Sequence, residues 1–192
     1  MILCSKDAPI TSVADLKGYT MRCPSGPITD VLSAWGANPI TMSPPDIYEA
    51  LEKNNIQGYI FEPAGITNFS LQEQTSYFTD VQMYDGPFGL IMNLDQWNSL
   101  PAEYQEAIMS VSGKDGSIAA AESFKAAADS AREVIVAAGG EFVEVSDEAY
   151  AEFAEAANDY AENTWVPNNS ADGFDAATYL QTAKDLAASY AG

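Results

Sequence analysis

The chain has 192 residues, of which 47% are apolar and 19% charged, so it can bury a real core and is not compositionally disordered. Eight basic residues against 28 acidic ones leave a formal charge of −20, which argues against nucleic acid or an anionic membrane as partner. There is no histidine, so His-based triads, His general bases and His metal ligands are excluded.

The chain opens on Met1–Ser5, a short apolar run that reads as a buried strand and resembles the middle of a fold more than its beginning. A connection follows, with a helical turn at Ser12–Leu16 capped by Ser12 and Asp15. Tyr19–Cys23 is the next strand and ends in a tight Pro-Ser-Gly loop. A helix is predicted from about Pro27 to Trp35, where Ile28, Val31, Leu32 and Trp35 share one face. Ser25 or Gly26 suits its cap, Pro27 its first position and Gly36 its stop. Asn38–Met42 is a strand, Ser43 and Asp46 box the start of a helix, and Ile56–Phe61 is a strand. The strand–helix alternation predicts a parallel sheet with ligand at the strand C-termini.

Further strand-like runs are Tyr77–Met83 and Phe88–Met92, broken at Asp85-Gly86-Pro87. Helices are expected over Asp95–Leu100, Pro101–Val111 and, after a break at Gly113–Gly116, an alanine-rich stretch from about Ser117 to Ala138. Gly139-Gly140 stops that helix. A strand at Glu141–Val145 precedes a helix capped by Ser146. Trp165–Gly173 reads as a loop, and a last amphipathic helix uses Phe174, Ala177, Leu180, Leu186 and Tyr190.

Arg22 is the leading candidate for chemistry. It stands at the C-terminal end of its strand, where a guanidinium offers a planar fork to a carboxylate and the following helix N-terminus adds positive potential. The other arginine, Arg132, lies beside Asp129 and Glu133 in a predicted helix and reads as a solvated ion pair. Cys4 and Cys23 are too few for a structural zinc site; a disulfide and two buried thiols both fit. No nucleophile–base pair and no phosphate-cradling glycine loop is visible, so an enzyme is not expected, and neither a metal nor a cofactor is expected. No run of about 18 apolar residues occurs, and no signal-peptide pattern is visible.

Several spaced motifs resemble one family. Ile10–Gly18 (ITSVADLKG), Met21–Pro24 (MRCP), Trp35–Pro39 (WGANP), Tyr48–Leu51 (YEAL) and Gly58 are similar, in order, to the solute-binding proteins of TRAP transporters, the DctP type. Phe88–Asn93, Trp97 and Ser99–Pro101 resemble that family's return strand and the helix after it. The resemblance covers essentially the whole chain, and the N-terminal third of the family pattern has no counterpart in it. It implies an α/β fold of the type II periplasmic-binding-protein kind, with two lobes, one of them incomplete, and a long connecting helix. On that basis residues 1–18 and 86–125 are a remnant of lobe one, 19–85 and 126–165 form lobe two, and 166–192 are a C-terminal helical segment.

The resemblance further implies an extracytoplasmic (periplasmic) receptor that captures a small organic acid and delivers it to the membrane permease subunits of a TRAP transporter. Arg22 occupies the position of the signature arginine that pairs with the ligand carboxylate. Phe61 and Glu62 fall where the family places another ligand contact, and Tyr59 and Trp165 complete the candidate ligand-binding set. The alternative is a truncated lobe that binds no ligand and acts as an interaction fragment, self-associating through the incomplete lobe. Everything here leans on Arg22: a guanidinium turned inward onto the protein's own carbonyls, with no cavity beside it, would count against the receptor.

Overall fold

A computed structural model describes residues 1–81, 86 and 88–190. Six strands form one mixed sheet: β1 (Ile2–Ser5), β2 (Thr20–Cys23), β3 (Asn38–Thr41), β4 (Gly58–Phe61), β5 (Tyr77–Thr79) and β6 (Glu141–Val143). Their spatial order is β3-β2-β4-β1-β5-β6. Strand β2 runs parallel to both β3 and β4, and β5 runs parallel to β6. Strand β1 is antiparallel to both its neighbours, β4 and β5. All four of its residues are buried, as the opening apolar run predicts.

Strand β1 ties the first residues of the chain into the central sheet. Residues 1–18 do not stand apart from 19–85: β1 hydrogen-bonds directly to β4, and Ile10 and Leu16 enter the same core as Met21 and Leu32. The strand had two open edges to join, and a run buried on both faces is most stable in the interior of a sheet.

Alternation along the strands sorts side chains onto two faces. Met21, Cys23, Leu3 and Ile60 face α1 (Pro27–Ala34) and α7 (Asp147–Tyr160), whose Trp35 end and Phe153 meet edge to face at 5.0 Å. Ile2, Cys4, Tyr59 and Phe78 face α2 (Ile47–Glu52), α3 (Pro63–Asn68) and the C-terminal part of α6 (Gly113–Ala137). Each large aliphatic or aromatic side chain so buried contributes about 1.5–3 kcal/mol. Caps act as the sequence implies. The Asp15 carboxylate accepts from the backbone N–H groups of Thr11 and Ser12, and Ser146 Oγ accepts from Ala149 N at 3.2 Å. Burial pushes the Asp15 pKa up, but those bonds together outweigh it and hold the group below the usual carboxylate value.

Helix α6 starts four residues earlier than expected. Gly113–Gly116 is its first turn and not a break: a Cβ on Gly116 would lie 2.3 Å from the Val111 carbonyl oxygen, so glycine is there for close approach to the end of α5 (Ala102–Ser110). With α4 (Leu94–Ser99), these elements hang beyond the sheet. Only Ala131 and Ile135 of α6 are buried, and Phe124 is exposed. The expected strand at Phe88–Met92 does not form. Those residues are irregular, and Phe88, Leu90 and Ile91 are 81%, 106% and 98% exposed, since β1 already fills the sheet position beside β5 and no strand pairs with them. Most of the expected break at Asp85-Gly86-Pro87, and Gln82-Met83 of the run before it, lie outside the described residues.

The first half of the stretch read as a loop is helical: Ala161–Trp165 widens into a π turn continuing α7, and α8 (Val166–Asn169) follows, while Ser170–Gly173 are irregular as expected. In α9 (Ala176–Tyr190) the apolar stripe is not buried as expected; Ala176 is sealed, whereas Phe174, just before the helix, and Leu186 stand in solvent. No helix among the described residues is long and apolar enough to cross a membrane.

Candidate ligand-binding site

The parallel trio β3, β2 and β4 ends at one edge, where Arg22, Met42 and Phe61 meet. Arg22 pairs in register with Ile40 on one side and Tyr59 on the other. Its neighbours Met21 and Cys23 point to the α1 face, so Arg22 points to the opposite one. The residue is 3% exposed. Its Nε donates to the Met42 carbonyl at 2.9 Å and its Nη1 to the Ile60 carbonyl at 3.1 Å. The guanidinium carbon lies 5.3 Å from the centre of the Phe61 ring, a cation–π contact, and Phe61 packs on Phe69 at 5.9 Å. Burial draws the arginine pKa below its ordinary value.

Two carbonyls therefore hold the cation. Among the described residues Nη2 has no hydrogen-bond partner, and none of the ion pairs among them involves Arg22. A desolvated guanidinium without a counter-ion is costly in a chain carrying 28 acids. The carbonyls orient the group and leave its charge uncompensated. Two cavities of about 440 Å³ each lie elsewhere, around Arg132 and Phe142.

Glu62 follows Phe61 at the N-cap of α3 but makes no capping bond with its side chain. A Cβ on Gly65 would lie 2.4 Å from Phe61 Cε1 and 2.5 Å from Glu62 Oε1, so ring and carboxyl flank one point. The Glu62 carboxylate makes no hydrogen bond or ion pair among the described residues and is half-buried. Arg22, Phe61 and Glu62 thus form a row. Beyond β2, α1 begins with Gly26 as N-cap at φ 116, and its first turn carries Asp30, which accepts from Tyr160 Oη at 2.8 Å.

Two candidates do not join the row. Tyr59 is fully buried in the core, its hydroxyl 3.0 Å from Thr75 Oγ1, and burial raises its pKa far above the usual tyrosine value. One strand position deeper than Ile60, it has no surface to offer a ligand. Trp165 is half-buried on the helical continuation of α7, a helix that packs on the other face of the sheet. Arg132 also departs from expectation: it pairs with Asp80 at 2.5 Å and lies over the Phe142 ring at 4.7 Å, while Asp129 pairs with Lys125. The packing of α6 beside β6 brings Arg132 to the end of β5, a contact 52 residues apart that local spacing does not reveal. Met42 and Phe69, which sequence reasoning passed over, help hold the site. Met42 ends the strand run beside Arg22, the one available signal.

Comparison with known proteins decides the family. The DctP family, described as bacterial extracellular solute-binding protein family 7, matches residues 1–167. The chain belongs to this family. A TRAP solute-binding protein from a marine metagenome, specific for aromatic acid ligands and solved with metahydroxyphenylacetate, is 30% identical with a TM-score of 0.87. A TRAP solute-binding protein from Rhodoferax ferrireducens, with copurified benzoate, is 27% identical with a TM-score of 0.85. The matches cover 98% and 99% of this chain and 60% of each of those chains. A monocarboxylate 2-oxoacid-binding periplasmic protein of Nostoc is 34% identical over 100 residues, 50% of this chain and 27% of its own length. This DctP chain therefore has the mixed α/β fold of TRAP solute-binding proteins over about 60% of their length.

Proposed function

We propose that this chain binds a small organic carboxylate outside the cytoplasm and delivers it to the permease subunits of a TRAP transporter, with Arg22 as the carboxylate clamp and Phe61 and Glu62 beside it. The observation that carries the reading is the buried, prepositioned guanidinium whose Nη2 has no partner among the described residues. A ligand carboxylate would supply the missing counter-charge. The acids bound by the marine, Rhodoferax and Nostoc proteins support the class. Isothermal titration with benzoate, pyruvate and succinate tests it. Arg22→Ala is expected to weaken the bound acid by about 10–100-fold, the equivalent of about 1.5–3 kcal/mol for a charge-assisted bond. Unchanged affinity in that variant would refute the clamp.

A second reading is a chain that binds no ligand and acts as a self-associating piece. The exposed apolar run at Phe88, Leu90, Ile91, Met92 and Leu94 favours it. It would be selected if none of the acids gives an Arg22-dependent heat.

A further inference from the structure

We propose that Arg132 is the strut of a hinge: it fixes the angle between the sheet and an arm made of residues 88–125, and the arm swings when the Arg132–Asp80 pair breaks. The proposal does not depend on what Arg22 binds.

The placement of the pair comes first. Strands β5 and β6 lie side by side and parallel, with Thr79 opposite Val143, so the chain leaves both at the same edge of the sheet. The arm follows β5 in the chain and returns to the sheet along α6. Asp80 is the first residue past β5, and Arg132 stands between Ala131 and Ile135, the two buried residues of α6. The pair at 2.5 Å therefore ties the outgoing end of the excursion to its returning end, 52 residues later. The same guanidinium lies over the Phe142 ring at 4.7 Å, so one side chain joins α6, the end of β5 and the middle of β6.

The second observation is how little else fills the joint. The two cavities of about 440 Å³ share Arg132 and Phe142 and no other lining residue, so this stacked pair is the partition between them. Close packing is what keeps most joints in a fold rigid, and here it is missing. Glu144 and Asp147 line the same cavity as Asp80, so a guanidinium that lets go of Asp80 meets other carboxylates. Arg132 and Asp80 side chains are each 36% exposed. Such a pair adds little to global stability and yields to salt, whose screening length falls to about 3 Å at 1 M.

The third is that the arm holds itself together better than it is attached. Phe88 and Phe124 stack at 5.9 Å and 14°, and Gln105 Nε2 donates to the Trp97 and Leu100 carbonyls. Helices α4 and α5 bury no residue, so the arm meets the sheet through the C-terminal part of α6. That helix is a lever. From Gly113 to Ala131 it spans about 27 Å, and a turn of about 10° at Arg132 carries its start by about 5 Å.

The test reads distances in the whole chain by double electron–electron resonance between nitroxide labels. Glu52→Cys in α2 with Glu103→Cys in α5 reports the arm; Glu52→Cys with Glu155→Cys in α7 reports the body of the sheet. Cys4 and Cys23 are buried and take no label in the native chain. Labelled chain is diluted into unlabelled chain, so that only distances within one molecule are read. Arg132→Gln and Asp80→Asn are each expected to widen the arm distribution by at least about twofold, with the body distance and the urea midpoint close to wild type. Sodium chloride at about 1 M is expected to widen the wild-type arm distribution likewise and to leave that of Arg132→Gln unchanged. An arm distribution as narrow in Arg132→Gln as in wild type overturns the proposal, and so does a wild-type distribution already that broad at low salt. Widening of the body distance along with the arm means that the whole sheet has loosened, and also overturns it. If Arg132→Gln does not fold, the salt series on the wild-type side chains decides alone, and a narrow distribution kept at high salt overturns the strut.

Discussion

Arg22 shows how a single side chain can be held and yet left incomplete. Carbonyl oxygens bring partial negative charge and good geometry, so they fix the plane of the guanidinium. They do not neutralise it, and full charge compensation needs an anion. The two cysteines illustrate the reverse, groups that are complete as they stand. Both are buried, and β4 lies between their strands. Two strand spacings separate them by about 10 Å, beyond the roughly 7 Å that a disulfide tolerates. They also point to opposite faces, Cys4 into the α2–α6 layer and Cys23 into the α1–α7 layer. Burial pushes the Cys4 thiol far above its ordinary pKa, so it holds its proton at any ordinary pH. Ellman's reagent at pH 8 is expected to find no reactive thiol in the native chain and both thiols after unfolding in denaturant. A native thiol reacting within minutes would contradict this packing.

At the scale of elements, two glycines separate stability from binding. Gly58 opens β4 where β1 and β2 press from either side. A Cβ there would lie 2.4 Å from the Cys4 carbonyl oxygen and 2.7 Å from Met21 Sδ. The first obstacle is backbone in the centre of the sheet and cannot yield cheaply. Gly58→Ala is expected to cost about 1–3 kcal/mol, read as a lower urea midpoint. Gly65 meets side-chain atoms of Phe61 and Glu62, which can swing away. Gly65→Ala is therefore expected to leave the midpoint closer to wild type than Gly58→Ala does and to weaken carboxylate binding more. Equal effects of the two substitutions on both readouts would show that the Phe61–Glu62 pair is not a site feature.

For the whole molecule, order is unevenly distributed. Both cores lie on the six-stranded sheet, and the segment from Phe88 through the first half of α6 contributes no fully buried apolar side chain. Tyr104, Met109, Val111, Ile118 and Phe124 join the exposed apolar run, an extent unusual for a monomer surface. Sedimentation velocity is expected to show concentration-dependent association of this chain. Changing Leu90→Lys and Ile91→Lys together is expected to suppress it without touching benzoate binding, since Arg22 lies on the sheet and not on this segment. A wild-type chain that sediments as one monomer across concentration would sink the prediction.

How far the sequence alone reached depends on the range of the interactions. Strand and helix positions from Ile2 to Phe61 were legible, because alternation, the Pro27 start and the Ser12–Asp15 box are encoded within a few residues. So was the placing of Arg22 at a strand end, and the family motifs around it. What lay beyond reach were facts set by partners distant in the chain. Tyr59 looked like a site residue, and only the sheet order showed that β1 and Thr75 seal it. Phe88–Met92 has a strand's composition, yet a strand is made by its neighbours, and β5 had already paired with β1 and β6. Arg132 found Asp80 and Phe142 across 52 residues and a helix. Local pattern determined which elements form and which residue carries the charge; tertiary pairing decided which faces are buried and that the guanidinium has no counter-ion among the described residues, because burial and pairing are properties of neighbours in space.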